Sequence, residues 1–257
     1  MLVALGPDGE RVAAARTLDR SAGFRCPVCS EQVILKAGAK VIAHFAHRTR
    51  GDCIAAGESL RHLVAKKLLA DRLSELGLQV KLETILSASR RADLLVRDDS
   101  EVQFTVEVQD SPISPKEMKA RERADRAAGC VDTCWIFTDT RVRGAFKPSA
   151  GADATEVRLP EEVRYRWNAT HQPVLVLRVD CGELVGMRLA SIDRPGEEWY
   201  DESGQVQSSM GYTLRSTFAV DIQALDFTPI GVPDRYGRLH ITFEPRGLLP
   251  TRSRLTP

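Results

Sequence analysis

RRADLLVRDDSEVQFTVEVQ, residues Arg90 to Gln109, decides how the chain reads. From Val102 the pattern alternates. Val102, Phe104, Val106 and Val108 point one way, and Gln103, Thr105, Glu107 and Gln109 point the other. That period of two predicts a strand with one face in the core and with Glu107 and Gln109 together on the polar face. Arg91 to Arg97 predicts a second apolar strand, which carries Asp93. The segment between them, Arg97-Asp98-Asp99-Ser100-Glu101, is polar and turn-prone. A hairpin therefore brings Asp93 near Glu107. Two converging carboxylates repel each other unless a cation lies between them, and hard oxygen ligands suit Mg²⁺ or Mn²⁺. An arginine locked onto either carboxylate inside the protein would rule out a metal site shared by this pair.

Upstream, Glu58 to Leu76 predicts a helix with leucines on more than one side, ended by Gly77 as a C′ residue. Glu58, His62 and Lys66 follow at i, i+4 and i+8, one stripe near its start. By itself such a stripe reads as a solvated face; beside strand carboxylates it becomes a candidate part of the site. Leu78 to Leu86 predicts another strand. Downstream, Ser114, Pro115 and Glu117 form a capping box for a helix running to about Ala128 and stopping at Gly129. Lys116, Lys119, Arg123 and Arg126 lie along one side of it, a candidate phosphate track, with Arg121 elsewhere on the barrel. Val131 to Thr138 predicts a short apolar strand. The resulting αβββαβ string predicts an α/β fold, a single mixed sheet flanked by helices.

Before this core, Met1 to Leu5 and Arg11 to Ala15 flank the turn Gly6-Pro7-Asp8-Gly9 and predict a hairpin. Then come Cys26-Pro27-Val28-Cys29, His44-Phe45-Ala46-His47 and Cys53. A CxxC turn places two thiolates on one tetrahedral ion, and a second pair after a hairpin closes the site. The spacing predicts a zinc-ribbon-like module with structural Zn²⁺. Both His44 and His47 bind, or one of them does and Cys53 supplies the fourth ligand.

After the core, residues 141–157 read as a linker. Strands are expected at 173–179, 184–192, 212–222 and 239–243, separated by turns such as Arg194-Pro195-Gly196. The tail with Arg246, Arg252 and Arg254 reads as poorly ordered. The expected division is 1–54 for the N-terminal hairpin and zinc module, 55–140 for the core, 141–157 for the linker and 158–257 for a β-rich C-terminal lobe.

The chain has 257 residues, 28% of them charged and 43% hydrophobic, an ordinary globular composition. No apolar run is long enough for a bilayer, and the N-terminus lacks a basic n-region, so the expected location is the cytoplasm with no membrane partner. A net charge of +1 means that nucleic acid would have to be held by a local patch. In a reducing compartment the six cysteines favour metal binding over disulfides. Oligomeric state is left open.

The pieces CPVC with HFAH, ESLRHLVAKK, RRADLLV, VEVQDSPIS, the basic helix and CWIF occur in one order over about residues 23–138. In that combination the sequence resembles the CoiA-like competence nuclease family of the PD-(D/E)xK nuclease superfamily, whose core is also αβββαβ. The resemblance implies a metal-dependent deoxyribonuclease. Asp93 matches the first acidic residue, Glu107 the acid of the (D/E)xK element, and Glu58 the acid on the first helix. Gln109 stands where the superfamily usually has lysine, and no tyrosine lies between Arg121 and Trp135, where this family usually has one. Neutral Gln109 can orient a water or phosphate but supplies no charge. In this picture Asp93 and Glu107 hold Mg²⁺ or Mn²⁺, while Arg90, Arg91 and the basic helix hold the DNA backbone, single-stranded or branched DNA being among the candidates. The competing expectation is a catalytically weak or inactive nucleic-acid-binding adaptor with a structural zinc module. The missing lysine favours it; the retained acidic pair argues against it.

Overall fold

The computed structural model describes residues 1–48, 53–142, 156–200, 206–223, 227–233 and 237–245. Contacts divide the chain into one unit of Met1–Asp110 with Ala120–Cys134 and a second of Ser111–Lys119 with Trp135–Pro257.

The first unit begins with the hairpin of β1 (Val3–Leu5) and β2 (Arg11–Ala13), followed by that of β3 (Val33–Lys36) and β4 (His44–His47). Phe24, Cys26, Val33, Leu35 and Phe45 form a small core there, with the Phe24 and Phe45 rings 4.9 Å apart. Helix α1 (Leu60–Glu75) starts at Ser59, whose side chain accepts the His62 amide at 3.0 Å. It ends on Gly77 at φ +88°, where the Gly77 amide reaches the Ser74 carbonyl and the Leu78 amide the Leu73 carbonyl. A left-handed residue with this bonding is the glycine stop read from the sequence. The buried face of α1 consists of Leu63, Ala65, Lys66, Leu69, Ala70 and Leu73.

Strands β5 (Gln79–Ser87), β6 (Arg90–Arg97) and β7 (Gln103–Gln109) follow as antiparallel neighbours. Their order in the chain, α1-β5-β6-β7, is the expected one. Strand β7 differs in one respect: both of its faces are buried from Phe104 to Gln109. Its polar residues are therefore interior groups that need partners. In β5 the only buried residue is Glu83, at φ +51° and fully enclosed.

Helix α2 (Pro115–Ala127) and strand β8 (Thr133–Thr138) run from one unit into the other. Ser114 accepts the Glu117 amide at 3.2 Å, as the capping sequence requires. Within the first unit, Asp125 of α2 is completely buried. It accepts both Arg90 Nε at 2.7 Å and Arg90 Nη2 at 2.8 Å, and the hydroxyls of Thr105 and Thr133 at 2.7 Å each.

In the second unit β8 pairs in parallel with β9 (Val174–Arg178), which pairs antiparallel with β10 (Glu183–Tyr200), and β10 with β11 (Val206–Asp221). A further antiparallel pair is β12 (Phe227–Pro233) with β13 (Leu239–Pro245). The expected turn at Arg194-Pro195-Gly196 is instead a register shift between Asp193 and Glu198 inside one long strand. A bulge lets a strand absorb a proline that cannot donate to the ladder. Residues 161–170, expected within a β-rich lobe, form helix α4 (Glu161–Thr170), after the short α3 (Asp139–Val142). Val163 and Trp167 bury its apolar side beside Trp135, Phe137, Val174 and Val176. Most of the expected linker, 143–155, and the tail with Arg246, Arg252 and Arg254 lie outside the described residues.

Replacing Asp125 by alanine removes two of the buried bonds of Arg90, leaving Glu107 as its carboxylate partner, and takes the acceptor from the Thr105 and Thr133 hydroxyls. Breaking a buried ion pair costs about 3–5 kcal/mol. Urea denaturation of Asp125→Ala is expected to show a loss of that size; a loss below about 1 kcal/mol would mean that Arg90 finds another partner.

Candidate functional site

Past the last paired rung of β6 and β7, Leu94 with Val106, the next opposed positions are Asp93 and Glu107. The two side chains take up the backbone amides that lie there. The Asp93 amide donates to Glu107 Oε1 at 2.9 Å, and the Val108 amide donates to Asp93 Oδ2 at 3.0 Å. The carboxylates are thus neighbours, but not around a common empty point. Glu107 is held by Arg90 Nη2 at 3.0 Å on Oε1 and by Arg121 Nη1 at 3.1 Å on Oε2. Gln109 is buried at the end of β7.

The group facing Asp93 comes from α1. His62 Nε2 lies 3.0 Å from Asp93 Oδ2, and His62 Nδ1 lies 3.6 Å from Glu58 Oε1. One helical turn on, Lys66 is fully buried, with its ammonium 2.5 Å from Glu58 Oε1, 2.7 Å from Glu83 Oε1 and 3.6 Å from Asp93 Oδ1. Arg91 closes the group, 3.2 Å from Glu58 and 3.4 Å from Glu83. Glu83 also accepts the Leu2 and Val3 amides at 2.7 and 3.2 Å, tying β1 to the same cluster.

Lys66, Arg90, Arg91 and Arg121 therefore face Glu58, Glu83, Asp93, Glu107 and Asp125. With the Met1 ammonium 3.2 Å from Glu58, five positive groups face five carboxylates while His62 is neutral. Arg90 and Arg91, expected on the DNA backbone, are instead interior counter-charges, their side chains only 5% and 8% exposed. Lys116, Lys119, Arg123 and Arg126 are exposed along α2.

The charges shift the ionisation of the group. Burial raises the Glu58 carboxyl, but Lys66 and Arg91 outweigh it and hold the acid at about 2. Burial likewise opposes ionisation of Asp93, and His62 and Lys66 overcome it, holding the acid well below the usual range. His62 is lowered by burial and raised more by Asp93 and Glu58, for a net increase. Glu107 goes the other way: burial and the Asp93 charge raise it, beyond what Arg90 and Arg121 offset.

Ligand atoms of Glu58, His62 and Asp93 all lie within 4.8 Å of one another. Glu58 Oε2 is buried and makes no hydrogen bond among the described residues, although the Met1 amino nitrogen is 3.2 Å away. Two carboxylates and an imidazole are a donor set that suits a divalent ion, one that would displace Lys66 and Arg91 from Glu58 Oε1 or the Met1 ammonium from Oε2. The imidazole suits Mn²⁺ better than Mg²⁺. The expected pair of Asp93 with Glu107 does not form such a site: buried Arg90 is locked onto Glu107 Oε1 and Arg121 onto Oε2, the condition that rules it out.

The second cluster lies in the N-terminal module. Cys26, Cys29, His47 and Cys53 have ligand atoms within 4.8 Å of one another. Cys26 Sγ is 3.8 Å from Cys53 Sγ, and Cys29 Sγ is 3.3 Å from His47 Nε2. Thiolates at ~2.3 Å from a tetrahedral zinc are ~3.8 Å apart, and a thiolate and an imidazole nitrogen ~3.6 Å. The Val28 and Ala55 amides point at the sulfurs of Cys26 and Cys53, both at 3.4 Å. Burial, with the neighbouring thiols, pushes Cys53 up to about 11, so it needs a cation to ionise near neutrality. His44 is not in this cluster; its Nδ1 lies 2.9 Å from the Ile42 carbonyl. Both histidines sit on β4, and positions three apart on a strand face opposite sides.

Glu83, Asp125 and Arg121 are site residues that the sequence did not point to, and His62 and Lys66 entered only through their stripe with Glu58. Glu83 carried only a faint signal, an acid interrupting an apolar strand.

Glu58 has a folded-state pKa below its unfolded value of 4.5. Its stabilising contribution is therefore complete above about pH 5 and is lost as the pH falls toward 2, on the order of 3 kcal/mol. His62 has the opposite sign, contributing below about pH 6.5 and losing that as the pH rises through its folded value. Denaturant titrations of Glu58→Gln are expected to start from lower stability at neutral pH and to fall less steeply than the parent between about pH 5 and pH 2. Parallel curves would contradict the charge balance described.

The N-terminal domain family of competence protein CoiA matches residues 8–56, and the nuclease-like domain family of competence protein CoiA matches residues 58–157. The first match holds the Cys/His cluster; the second begins at Glu58 and spans every side chain of the ion network. No curated protein and no solved structure matches the chain. Models of two adjacent domains of one family match in order over residues 8–157, and the chain belongs to the CoiA-like competence family.

Proposed function

We propose that the chain is a metal-dependent deoxyribonuclease with a PD-(D/E)xK-type core, acting on DNA handled in competence. The observation that carries this is the convergence of Glu58, His62 and Asp93 within 4.8 Å beside the family's second acid, Glu107. Asp93 and Glu58 hold Mn²⁺ or Mg²⁺ through carboxylate oxygens, and His62 contributes an imidazole nitrogen. When bound, the ion lowers the pKa of a water and polarises a phosphodiester oxygen.

The chain's own residues set the electrostatics. Lys66 supplies a fixed positive charge 3.6 Å from Asp93, compensating for neutral Gln109 in the strand. Glu107 orients Asp93 by accepting its amide. Arg123 and Arg126, with Lys116 and Lys119, offer exposed charge to the DNA backbone, which steers without reading sequence. Cys26, Cys29, His47 and Cys53 hold a structural Zn²⁺ in a zinc-ribbon-like module, with all four positions filled by protein and none left for catalysis.

A second reading is favoured by the pairing of Glu107 with both Arg90 and Arg121. A centre so neutralised suits an adaptor that binds nucleic acid without cutting it. Cleavage of labelled linear, circular and branched DNA with Mn²⁺ separates the two. The parent is expected to cut, and Asp93→Ala to lose at least about a hundredfold in rate while keeping its fold. Binding without cleavage by the parent would leave the adaptor. For the zinc module, metal analysis is expected to find one zinc per chain in the parent and in His44→Ala, and a loss in Cys53→Ser. Zinc lost from His44→Ala but retained in Cys53→Ser would reverse the ligand assignment.

A further inference from the structure

We propose that Arg121 is the cation through which the site takes hold of a DNA phosphate, and that it exchanges Glu107 for that phosphate. This deepens the nuclease proposal and rests on it. The positive groups of the network differ sharply in access. The side chains of Lys66, Arg90 and Arg91 are 0%, 5% and 8% exposed, while that of Arg121 is 34% exposed. A phosphate arriving from solvent can therefore meet Arg121 without any rearrangement of the interior. Arg123 and Arg126 are more open, but Arg121 alone of the three has a nitrogen within 3.1 Å of a carboxylate beside Asp93.

The two oxygens of Glu107 are held differently. Oε1 accepts from Arg90 and from the Asp93 amide, both buried. Oε2 is paired with Arg121, whose side chain is 34% exposed while that of Glu107 is 2%. A phosphate can reach Arg121 from its open side, and a planar guanidinium binds phosphate with two parallel hydrogen bonds. Once Arg121 turns to the phosphodiester, Glu107 Oε2 lacks its counter-charge beside Asp93. The site gains negative potential beside Asp93, which favours a divalent cation on the Asp93 side chain. DNA and metal then bind cooperatively, and by linkage each strengthens the other by the same factor.

The test is calorimetric titration of Mn²⁺ into the full chain, with and without a short phosphorothioate DNA strand that resists cleavage, for the parent, Arg121→Ala, Arg121→Lys and Arg123→Ala. All four are expected to fold, since both arginines reach solvent. DNA should raise the parent's Mn²⁺ affinity, about tenfold being a typical coupling. Arg121→Ala should bind Mn²⁺ more tightly than the parent without DNA and show no further gain when DNA is added. Arg121→Lys should restore part of the coupling. Arg123→Ala should weaken DNA binding yet keep the parent's coupling, which separates a specific exchange from a general loss of charge. Equal Mn²⁺ affinity in the parent and Arg121→Ala, with the same DNA response, would overturn the role of Arg121 alone. A parent that binds no Mn²⁺ with or without DNA would overturn the metal-dependent nuclease proposal itself, and this one with it.

Discussion

A fully buried ammonium is tolerable only if carboxylates surround it, and Lys66 is the point at which this protein meets that constraint. Glu58 and Glu83 lie within 2.7 Å of its nitrogen and Asp93 within 3.6 Å. Each arrives from a different element: the approach to α1, the middle of β5 and the rim of β6. Their convergence fixes where the helix rests on the sheet. It also tethers the N-terminal strand, because Glu83 accepts two of its amides. Glu83 holds a left-handed backbone conformation to do this, a strain that surrounding structure must over-determine.

A second set of pairs does the same on the other side of Asp93. Asp125 fixes Arg90, Arg90 fixes Glu107, and Glu107 accepts the Asp93 amide. Asp93 is thus positioned from both directions, by cations through its side chain and by an acid through its backbone. Mutual positioning of this kind holds a side chain within a narrow geometry. It also explains how acids can crowd at the end of a strand pair without repelling one another into solvent.

Much of this is legible in the sequence. Alternation in Val102 to Gln109, with the polar connector before it, places Asp93 opposite Glu107, because an antiparallel register across a short connector leaves little freedom. The glycine after α1 and the capping serine before α2 mark helix ends by local chemistry alone. What is not legible depends on distant partners. Arg90 and Arg91 look like surface charges beside an acidic strand, and only three-dimensional neighbours turn them inward. HxxH looks like one ligand pair until β4 is known to be a strand, which separates His44 from His47 by parity. Cys53, six residues on, then completes the set with Cys26, Cys29 and His47. Helix α4 escapes because its flanks are β-like and its apolar side is little more than Val163 and Trp167. The Pro-Gly in β10 reads as a turn because a bulge within a long strand has no separate local signature.

If the helix and strand groups around Asp93 seat one divalent cation, anomalous diffraction from crystals soaked in Mn²⁺ should show a single strong peak coordinated by Glu58, His62 and Asp93, distinct from any zinc signal at the cysteine cluster. A map with no density there, Lys66 still bridging Glu58 and Glu83, would contradict that seat.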